Sequence, residues 1–437
     1  MIKPSKTFYI TTPIIIILLL ASFLNTENKQ PTTNPQQTTN PQQTTKNQDI
    51  TITITTPPNN ITNKNSNDKT NSTQPSNENK LQVGINYLSK YHLYSSEYTN
   101  DAILERDFSK FNRDGINIIN LSLYWYRLEG NTKGSYNGTL PDGSIYGDTF
   151  LANVKHIITI ANQYDIKVMI TFQTLWGEDS TWCTPDYVID PVSGNNIGLA
   201  IVRSTEMKQA FVNMIKHTTS YLANTPGIWA WAILNEPWYW GRNATEHDFV
   251  TNNRQTQKEN FLTLFQELSN IIKTQDGRLV TIRFCNVKPY YDEYGTPALK
   301  NIFREDWEFD NRLFNSTDFI SFSAYLPDEQ LLIPLWKNMT TTNINTSHEH
   351  NKTIGISEIG CDNNDSNIQA ACIQESIQFY QTLPVGFCLA WYWQSDNTTP
   401  DTFGYGGLGY NLCADTKTGD ARSAYNVLIA SITQFLT

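Results

Sequence analysis

The feature that most constrains the fold is a regular alternation, after about residue 80, of short apolar runs with longer amphipathic segments. The apolar runs are rich in β-branched and aromatic residues, as strands are. The longer segments place apolar residues three and four apart, as helices packed on a sheet do. We identify eight strand-like runs: QVGINYL, INIINLSLY, IKVMITFQ, GIWAWAILN, RLVTIRFCN, DFISFSAY, TIGISEIG and GFCLAWYWQ. The helical segments between them include FLANVKHIITIANQY, EMKQAFVNMIKHTTSYLA and NFLTLFQELSNIIKT.

Strands that alternate with helices predict an α/β fold with a parallel sheet. Eight such units in residues 81–437 fit a (β/α)8 TIM barrel with enlarged loops. A doubly wound open sheet is the alternative. Its nucleotide-binding form carries a glycine-rich first turn, whereas GINYLSKY has one glycine and no GxGxxG pattern. We therefore expect a barrel, which forms one catalytic domain over residues 81–437.

The chain before residue 81 has a different character. Lys3 and Lys6 precede an apolar run, which predicts a signal peptide or a membrane anchor over residues 1–24. Both readings stay open, because the run is near the lower limit for a spanning helix and no clean cleavage site follows it. Residues 25–80 are dominated by Asn, Thr, Gln and Pro, a composition that predicts a disordered linker. The sequence thus predicts a protein that is secreted or anchored at the cell surface.

Charge and metal-ligand patterns narrow the possible partners. The formal net charge is -10 and basic residues do not cluster, so we expect no nucleic-acid partner. His348 and His350 form an isolated pair in a polar segment, and neither HExxH nor paired CxxC accompanies them. We therefore expect neither a metal nor another cofactor. Nothing in the sequence suggests an obligate oligomer, and we expect a monomer.

Two glutamates stand where a barrel would carry its chemistry. Glu236 ends the fourth run in WAILNEPWYW, where Pro237 lacks the amide that a further ladder bond would need. Glu358 ends the seventh run in ISEIG. The carboxyl ends of barrel strands surround one mouth, so we expect both carboxylates there.

Aromatic residues gather near the same strand ends. Trp229 and Trp231 lie inside the fourth run and are predicted to be core. The others suit a cleft in which flat rings stack on pyranose faces while one carboxyl acts as acid and base and the other as nucleophile. Several rings in one cleft would hold more than one sugar and predict an internal cut. These rim candidates are Trp125, Trp176, Trp238, Trp240, Tyr325, Trp391 and Trp393.

The Asn-Glu-Pro that ends the fourth run and the glutamate that ends the seventh resemble those of the clan of retaining barrel glycosidases that includes glycoside hydrolase family 5. Cellulases and mannanases belong to this clan. The resemblance implies that Glu236 is the acid/base, that Asn235 contacts the sugar 2-hydroxyl and that Glu358 is the nucleophile. It also implies that Tyr325, at the end of the sixth run, hydrogen-bonds the nucleophile.

The resemblance further implies a stacking platform after the eighth strand, either Trp391 or Trp393, with Trp391 slightly favoured by position. Its substrate is expected to be a polysaccharide. The complete set of predicted substrate-binding residues is Asn235, Tyr325, Trp391, Trp393, Trp176, Trp238, Gln173 and Asn120.

Three positions depart from the family pattern. Asn120 stands where many members carry an arginine in strand two, and Arg127 would compensate only if its loop folded back. Gln173 and Ser323 stand where histidines are common near the ends of strands three and six. Each replacement removes a charged or titratable neighbour of the glutamate pair and leaves the substrate open.

The leading expectation is a retaining endo-β-glycosidase that hydrolyses a β-1,4-linked polysaccharide, with cellulose or β-glucan ahead of mannan on resemblance alone. A β-mannanase and a transglycosylase would use the same residues. A non-catalytic carbohydrate-binding barrel is the alternative from another class, and the missing strand-two arginine and strand-three histidine favour it. Retention of both glutamates, Asn235 and Tyr325 weighs against it.

Overall fold

The computed structural model describes the chain in segments that begin at Leu81. The predicted signal or anchor and the predicted linker lie outside the described residues, and their boundaries stay predictions. In the described segments no helix is both long and apolar enough to cross a membrane. The described residues are 81–87, 101–139, 145–173, 184–196, 198–237, 254–291, 297–301, 310–327, 330–361, 365–393, 412–415 and 420–433.

Eight parallel strands close into a barrel in which each strand pairs with its neighbours along the chain and the last pairs with the first. Each corresponds to one of the predicted runs, so the predicted TIM barrel is confirmed. The strands are β1 Gln82–Tyr87, β2 Ile118–Tyr124, β3 Lys167–Gln173, β4 Ile228–Asn235, β5 Leu279–Cys285, β6 Phe319–Ser323, β7 Thr353–Ile359 and β8 Val385–Trp393.

Helices connect these strands. The three segments predicted from apolar spacing are helical and correspond to α3, α5 and α6 in the order given below. Ser204 caps α5 by accepting from the Met207 amide at 3.3 Å, which satisfies one of the donors left open at a helix start. The described helices are α1 Asp101–Arg113, α2 Trp125–Glu129, α3 Asp148–Gln163, α4 Ala200–Arg203, α5 Thr205–Leu222, α6 Arg254–Gln275, α7 Asn311–Ser316, α8 Ile333–Glu349, α9 Ser366–Gln381 and α10 Ser423–Thr433.

Short antiparallel pairs stand outside the barrel. Asn137–Thr139 pairs with Ile145–Gly147 after β2, and Val287–Tyr291 pairs with Pro297–Asn301 after β5. A third pair follows β8 and joins Cys413–Asp415 to Asp420–Ala421. Because each pair follows the carboxyl end of a strand, all three belong to the loops on the mouth side of the barrel.

Apolar side chains fill the barrel interior near the amino ends of the strands. Gly355 makes room for this layer, since a Cβ there would lie 2.0 Å from Cζ of Phe387. Trp229 packs against the layer, while Trp231 is buried between the barrel and its helices, so both are core residues as predicted. The interior cluster comprises Ile118, Met169, Ala230, Ala232, Phe319, Phe387 and Leu389.

Polar side chains replace apolar ones farther along the same strands. They are almost completely shielded from solvent, and they share the interior parity of the apolar layer because strand side chains alternate between two faces. The residues of this polar layer are Asn86, Asn120, Thr171, Arg283, Ser321 and Ser357. They form the floor beneath the two glutamates.

Candidate active site

Glu358 lies near the end of β7 and is almost completely buried, with 4% of its surface exposed. Its Oε2 accepts a hydrogen bond from the Tyr325 hydroxyl at 2.5 Å. Its Oε1 accepts from Nη2 of Arg283, also at 2.5 Å. Each carboxylate oxygen therefore has a donor of its own, and the side chain is fixed in orientation.

The surroundings of Glu358 have opposing effects on the pKa of its carboxyl group. Burial disfavours the charged form and raises the pKa of this carboxyl above the usual range of a glutamate. The positive charge of Arg283 opposes the shift, as do hydrogen bonds from Tyr325 and Asn235, because all three stabilise the ionised form. The raised pKa makes ionisation of Glu358 dependent on these donors.

Glu236 stands directly after β4 in a left-handed backbone conformation, with φ +44°. A non-glycine residue in this region costs roughly 1–2 kcal/mol, so its surroundings must hold it there. Its amide donates to the carbonyl oxygen of Arg283 at 2.6 Å. This hydrogen bond fastens Glu236 to β5 at the point where the chain turns out of the barrel towards Pro237.

Asn235 is buried beside the two glutamates, with 6% of its surface exposed. It lies opposite Arg283 in the register of β4 and β5. Within the described residues its side-chain carbonyl oxygen has no hydrogen-bond partner. A buried acceptor without a partner is uncommon, and a hydroxyl of a bound ligand would satisfy it.

Trp391 is partly exposed near the end of β8. It follows Phe387 and Leu389 at a spacing of two, which places it on the interior side of β8 and beyond the apolar layer. The peptide bond between Trp391 and Tyr392 is cis. A partly exposed indole at the barrel mouth is a suitable surface for a sugar ring.

Two of the predicted rim tryptophans lie in the core instead. Trp393 has no exposed surface, and its Nε1 donates to Asp107 of α1 at 3.2 Å. Its assignment to the substrate site is wrong, because the ring is packed between the barrel and its helices. Trp125 is likewise fully buried, and its Nε1 donates to Glu129 at 2.6 Å, so its prediction as a rim residue is also wrong.

Gln173 and Asn120 occupy different depths of the interior. Gln173 ends β3 and approaches the hydroxyl of Ser122 at 3.4 Å, with 6% of its surface exposed. Asn120 has no exposed surface and belongs to the polar layer. Its predicted contact with substrate is wrong, because its fully buried amide faces Arg283 beneath the site. The predicted residues Trp176 and Trp238, as well as Trp240, lie outside the described residues.

Arg283 is a site residue that was not among those predicted from the sequence. Arg127, named above as a substitute for the strand-two arginine, lies over the ring of Tyr126 in α2, with 5.4 Å from Cζ to the ring centroid. The available signal was the run RLVTIRFCN, which places an arginine inside an otherwise apolar strand. A buried arginine requires a partner, and such a residue points to a carboxylate in the same interior.

In the part of the chain that the structure describes, no three His, Cys, Asp or Glu side chains are grouped so that they could hold a metal ion. His348 lies in the last turn of α8, and the ring of His350 stacks on Phe314 with centroids 4.1 Å apart.

No protein-family model matches this chain. No curated protein matches it either. Solved structures do. An endo-β-1,4-mannanase from Thermotoga petrophila is 15% identical, with a TM-score of 0.58 over 83% of this chain and 78% of the mannanase. An endo-1,4-β-mannanase from Rhizomucor miehei is 16% identical, with a TM-score of 0.52 over 81% of this chain and 95% of that one.

A GH5_18 variant from Streptomyces cattleya, in complex with Manβ1-4GlcNAc, is 11% identical, with a TM-score of 0.60 over 82% of this chain and 81% of that one. At such low identities the likeness shows the fold alone. The chain therefore has the barrel fold of these mannanases and GH5 structures, in agreement with the resemblance seen in its sequence.

Proposed function

We propose that residues 81–437 form a retaining endo-β-glycosidase that hydrolyses a β-1,4-linked polysaccharide by double displacement. The observation that carries the proposal is the position of Glu358, whose two oxygens are held by Tyr325 and Arg283 at the barrel mouth. Glu236 follows the neighbouring Asn235 at the same edge of the barrel. Two carboxyl groups at one mouth are what glycoside hydrolysis requires.

In the proposed reaction, Glu358 attacks the anomeric carbon while Glu236 protonates the departing glycosidic oxygen. The bond from Glu358 to the sugar forms as the glycosidic bond breaks. Glu236 then acts as a base and takes a proton from water, which attacks the same carbon and releases Glu358. Atoms balance over the two steps, because one water molecule is consumed for each bond cut.

The donors around Glu358 support its assignment as the nucleophile. A nucleophilic carboxylate must be ionised, and the charge of Arg283 together with the Tyr325 hydroxyl stabilises that form. Glu236 is held at the same mouth through its backbone amide, which donates to the carbonyl oxygen of Arg283. The proposed reaction requires Glu236 to carry a proton while Glu358 is ionised, so the two carboxyl groups must hold different protonation states at one pH.

Mannan is the proposed substrate ahead of cellulose or β-glucan. The family resemblance of the sequence alone ranks glucan first, whereas the solved structures favour mannan. Two of those compared are named as β-1,4-mannanases and a third holds Manβ1-4GlcNAc. Trp391 would contribute a stacking contact worth on the order of 1 kcal/mol, so an internal cut would need further platforms along the cleft.

The proposed setting of the enzyme follows from the chain before the barrel. A signal or anchor at residues 1–24 and a linker at residues 25–80 would place the catalytic domain outside the cell, either free or tethered to its surface. The proposed enzyme uses no metal or cofactor and acts as a monomer.

The test is release of new reducing ends from mannan, soluble β-glucans and xylan by the purified protein, beside a Glu358→Gln variant. Release from one polymer that disappears in the variant would support the glycosidase and identify the sugar. Added acceptor sugars distinguish a transglycosylase, which would form longer products. Binding to a polymer without release would favour the non-catalytic barrel instead.

A further inference from the structure

Arg283 connects the two glutamates of the site. Its guanidinium reaches Oε1 of Glu358 at 2.5 Å and the carbonyl oxygen of Ser357 at 3.1 Å. Its own carbonyl oxygen accepts from the amide of Glu236 at 2.6 Å. One residue on β5 thus holds the nucleophile candidate with its side chain and the acid/base candidate with its main chain.

The guanidinium is itself held by strands on other sides of the barrel. It donates to Oγ1 of Thr171 on β3 at 3.2 Å and to Oδ1 of Asn86 on β1 at 3.3 Å. A guanidinium can only donate, so the side-chain amide of Asn120 on β2 is oriented with its oxygen towards Arg283. In this orientation the oxygen accepts from Nη1 at 2.8 Å. These contacts hold the planar guanidinium in an orientation that aims Nη2 at Glu358.

We propose that Arg283 is the positioning residue of the site, which holds Glu358 ionised and aimed for attack. The proposal rests on the proposed function. Strand two, which carries Asn120, contributes an amide acceptor instead of a cation, and the positive charge at Glu358 comes from β5. In the described part of the chain the ion pair of Glu358 is the one with Arg283, which has no exposed surface.

Among the residues that the structure describes, the groups that face Glu358 come from three strands. Arg283 faces it from β5 and Tyr325 from the end of β6. Asn235 of β4 and Ser323 of β6 add uncharged polar groups, and Glu236 is the second carboxyl at the mouth. Of the described groups, only neutral donors would then oppose the effect of burial, so Glu358 would ionise at higher pH after loss of the guanidinium.

The experiment compares Arg283→Lys and Arg283→Met with the unaltered protein. Arg203→Lys is the matched control, since Arg203 is another buried arginine, 4% exposed, and pairs with Asp190 at 2.8 Å in the segment after β3. The value of kcat/KM is measured against pH on the polymer and on an aryl β-glycoside with a good leaving group.

Arg283→Met should lower kcat/KM at least tenfold, roughly the effect of losing one hydrogen bond to a charged group. The loss should be similar on both substrates, because the main-chain bond to Glu236 survives the substitution. The acidic limb should move to higher pH in Arg283→Met and by less in Arg283→Lys, which keeps a charge. Arg203→Lys should retain the original limb.

A second measurement does not depend on activity. The titration of Glu358 is followed by ¹³C NMR in protein labelled at glutamate carboxyls, with Glu358→Gln used to assign the signal. A higher titration midpoint in Arg283→Lys than in the unaltered protein supports the proposal even if the methionine variant fails to fold. An unchanged midpoint and an unmoved acidic limb would overturn it. Absence of any hydrolysis by the unaltered protein would instead count against the proposed function.

Discussion

Tyr325 and Glu358 are joined by a hydrogen bond of 2.5 Å that links the end of β6 to the end of β7. The backbone beside Tyr325 is fixed on two sides. The amide of Ala324 donates to the carbonyl oxygen of Glu358 at 2.9 Å, and the hydroxyl of Tyr380 donates to the carbonyl oxygen of Ala324 at 3.1 Å. The phenol is therefore aimed at the carboxylate by the fold, independently of substrate.

Tyr325→Phe should move the acidic limb of kcat/KM to higher pH. Burial already raises the pKa of Glu358, and loss of a donor that stabilises the ionised form raises it further. A larger fraction of Glu358 is then protonated at acidic pH, so activity falls there first. At the optimum we expect a loss of about tenfold, from one hydrogen bond to a charged group.

The control for this prediction is Tyr425→Phe, which removes a buried hydroxyl that bonds to Asp114 at 2.9 Å in a contact between α10 and the end of α1. Its pH profile should match that of the unaltered protein. An acidic limb in Tyr325→Phe at the original pH would contradict the role assigned to the phenol.

Substitution of the two glutamates should separate their roles. Glu358→Gln should abolish hydrolysis of every substrate, since no covalent intermediate can form. Glu236→Ala should largely spare aryl glycosides whose leaving group departs without a proton, while activity on the polymer is lost. Steady-state kinetics on both substrates checks this. Equal losses for both variants on the activated substrate would show that the roles are wrongly assigned.

Trp391 and Trp393 should respond differently to replacement by alanine. Trp391→Ala should raise KM on long chains about fivefold, the equivalent of a stacking contact of on the order of 1 kcal/mol, with little change in melting temperature. Trp393→Ala should lower the free energy of unfolding by about 3–5 kcal/mol, because it empties a fully buried site. Kinetics and thermal unfolding of both variants, compared at a temperature where both are folded, test the distinction.

Asn235 should make the protein prefer a substrate that carries a particular sugar hydroxyl over an analogue that lacks it. Its buried carbonyl oxygen has no partner among the described residues, and the family resemblance implies that the group near it is the 2-hydroxyl. The unaltered protein should prefer an aryl glycoside to its 2-deoxy analogue, and Asn235→Ala should lose about tenfold of that preference. A preference that is the same in both proteins would remove Asn235 from contact with this hydroxyl.

The barrel was predictable because its strands are buried on both faces and read as continuous apolar runs. The glutamates were predictable because Pro237 marks one strand end and ISEIG gives the other. The directions in which several side chains point could not be predicted from the sequence. The pairing of β1 with β8 shifts register after Ile85, so that Tyr87 lies opposite Trp393. A bulge of this kind reverses which face a residue occupies.

That shift explains why Trp391 and Trp393, two residues apart, lie in different environments. Similar irregularities fall between Ala232 and Asn235 on β4 and between Phe322 and Ser323 beside Glu358. Bulges adjust side-chain direction at the strand ends that form the candidate site, and alternation of apolar residues does not reveal them. The role of Arg283 was not predictable for a related reason, since it depends on a contact with Glu358 on another strand.

Covalent trapping tests whether Glu358 is the nucleophile of a retaining enzyme. The protein is incubated with an activated 2-deoxy-2-fluoro β-mannoside, and in parallel with the matching glucoside, because the fluorine slows both steps and a good leaving group lets the glycosyl-enzyme accumulate. Mass spectrometry of the digested protein then locates the sugar. We expect a single glycosyl ester on Glu358 and no ester in the Glu358→Gln variant. An ester on Glu236, or hydrolysis without any trapped intermediate, would contradict this expectation.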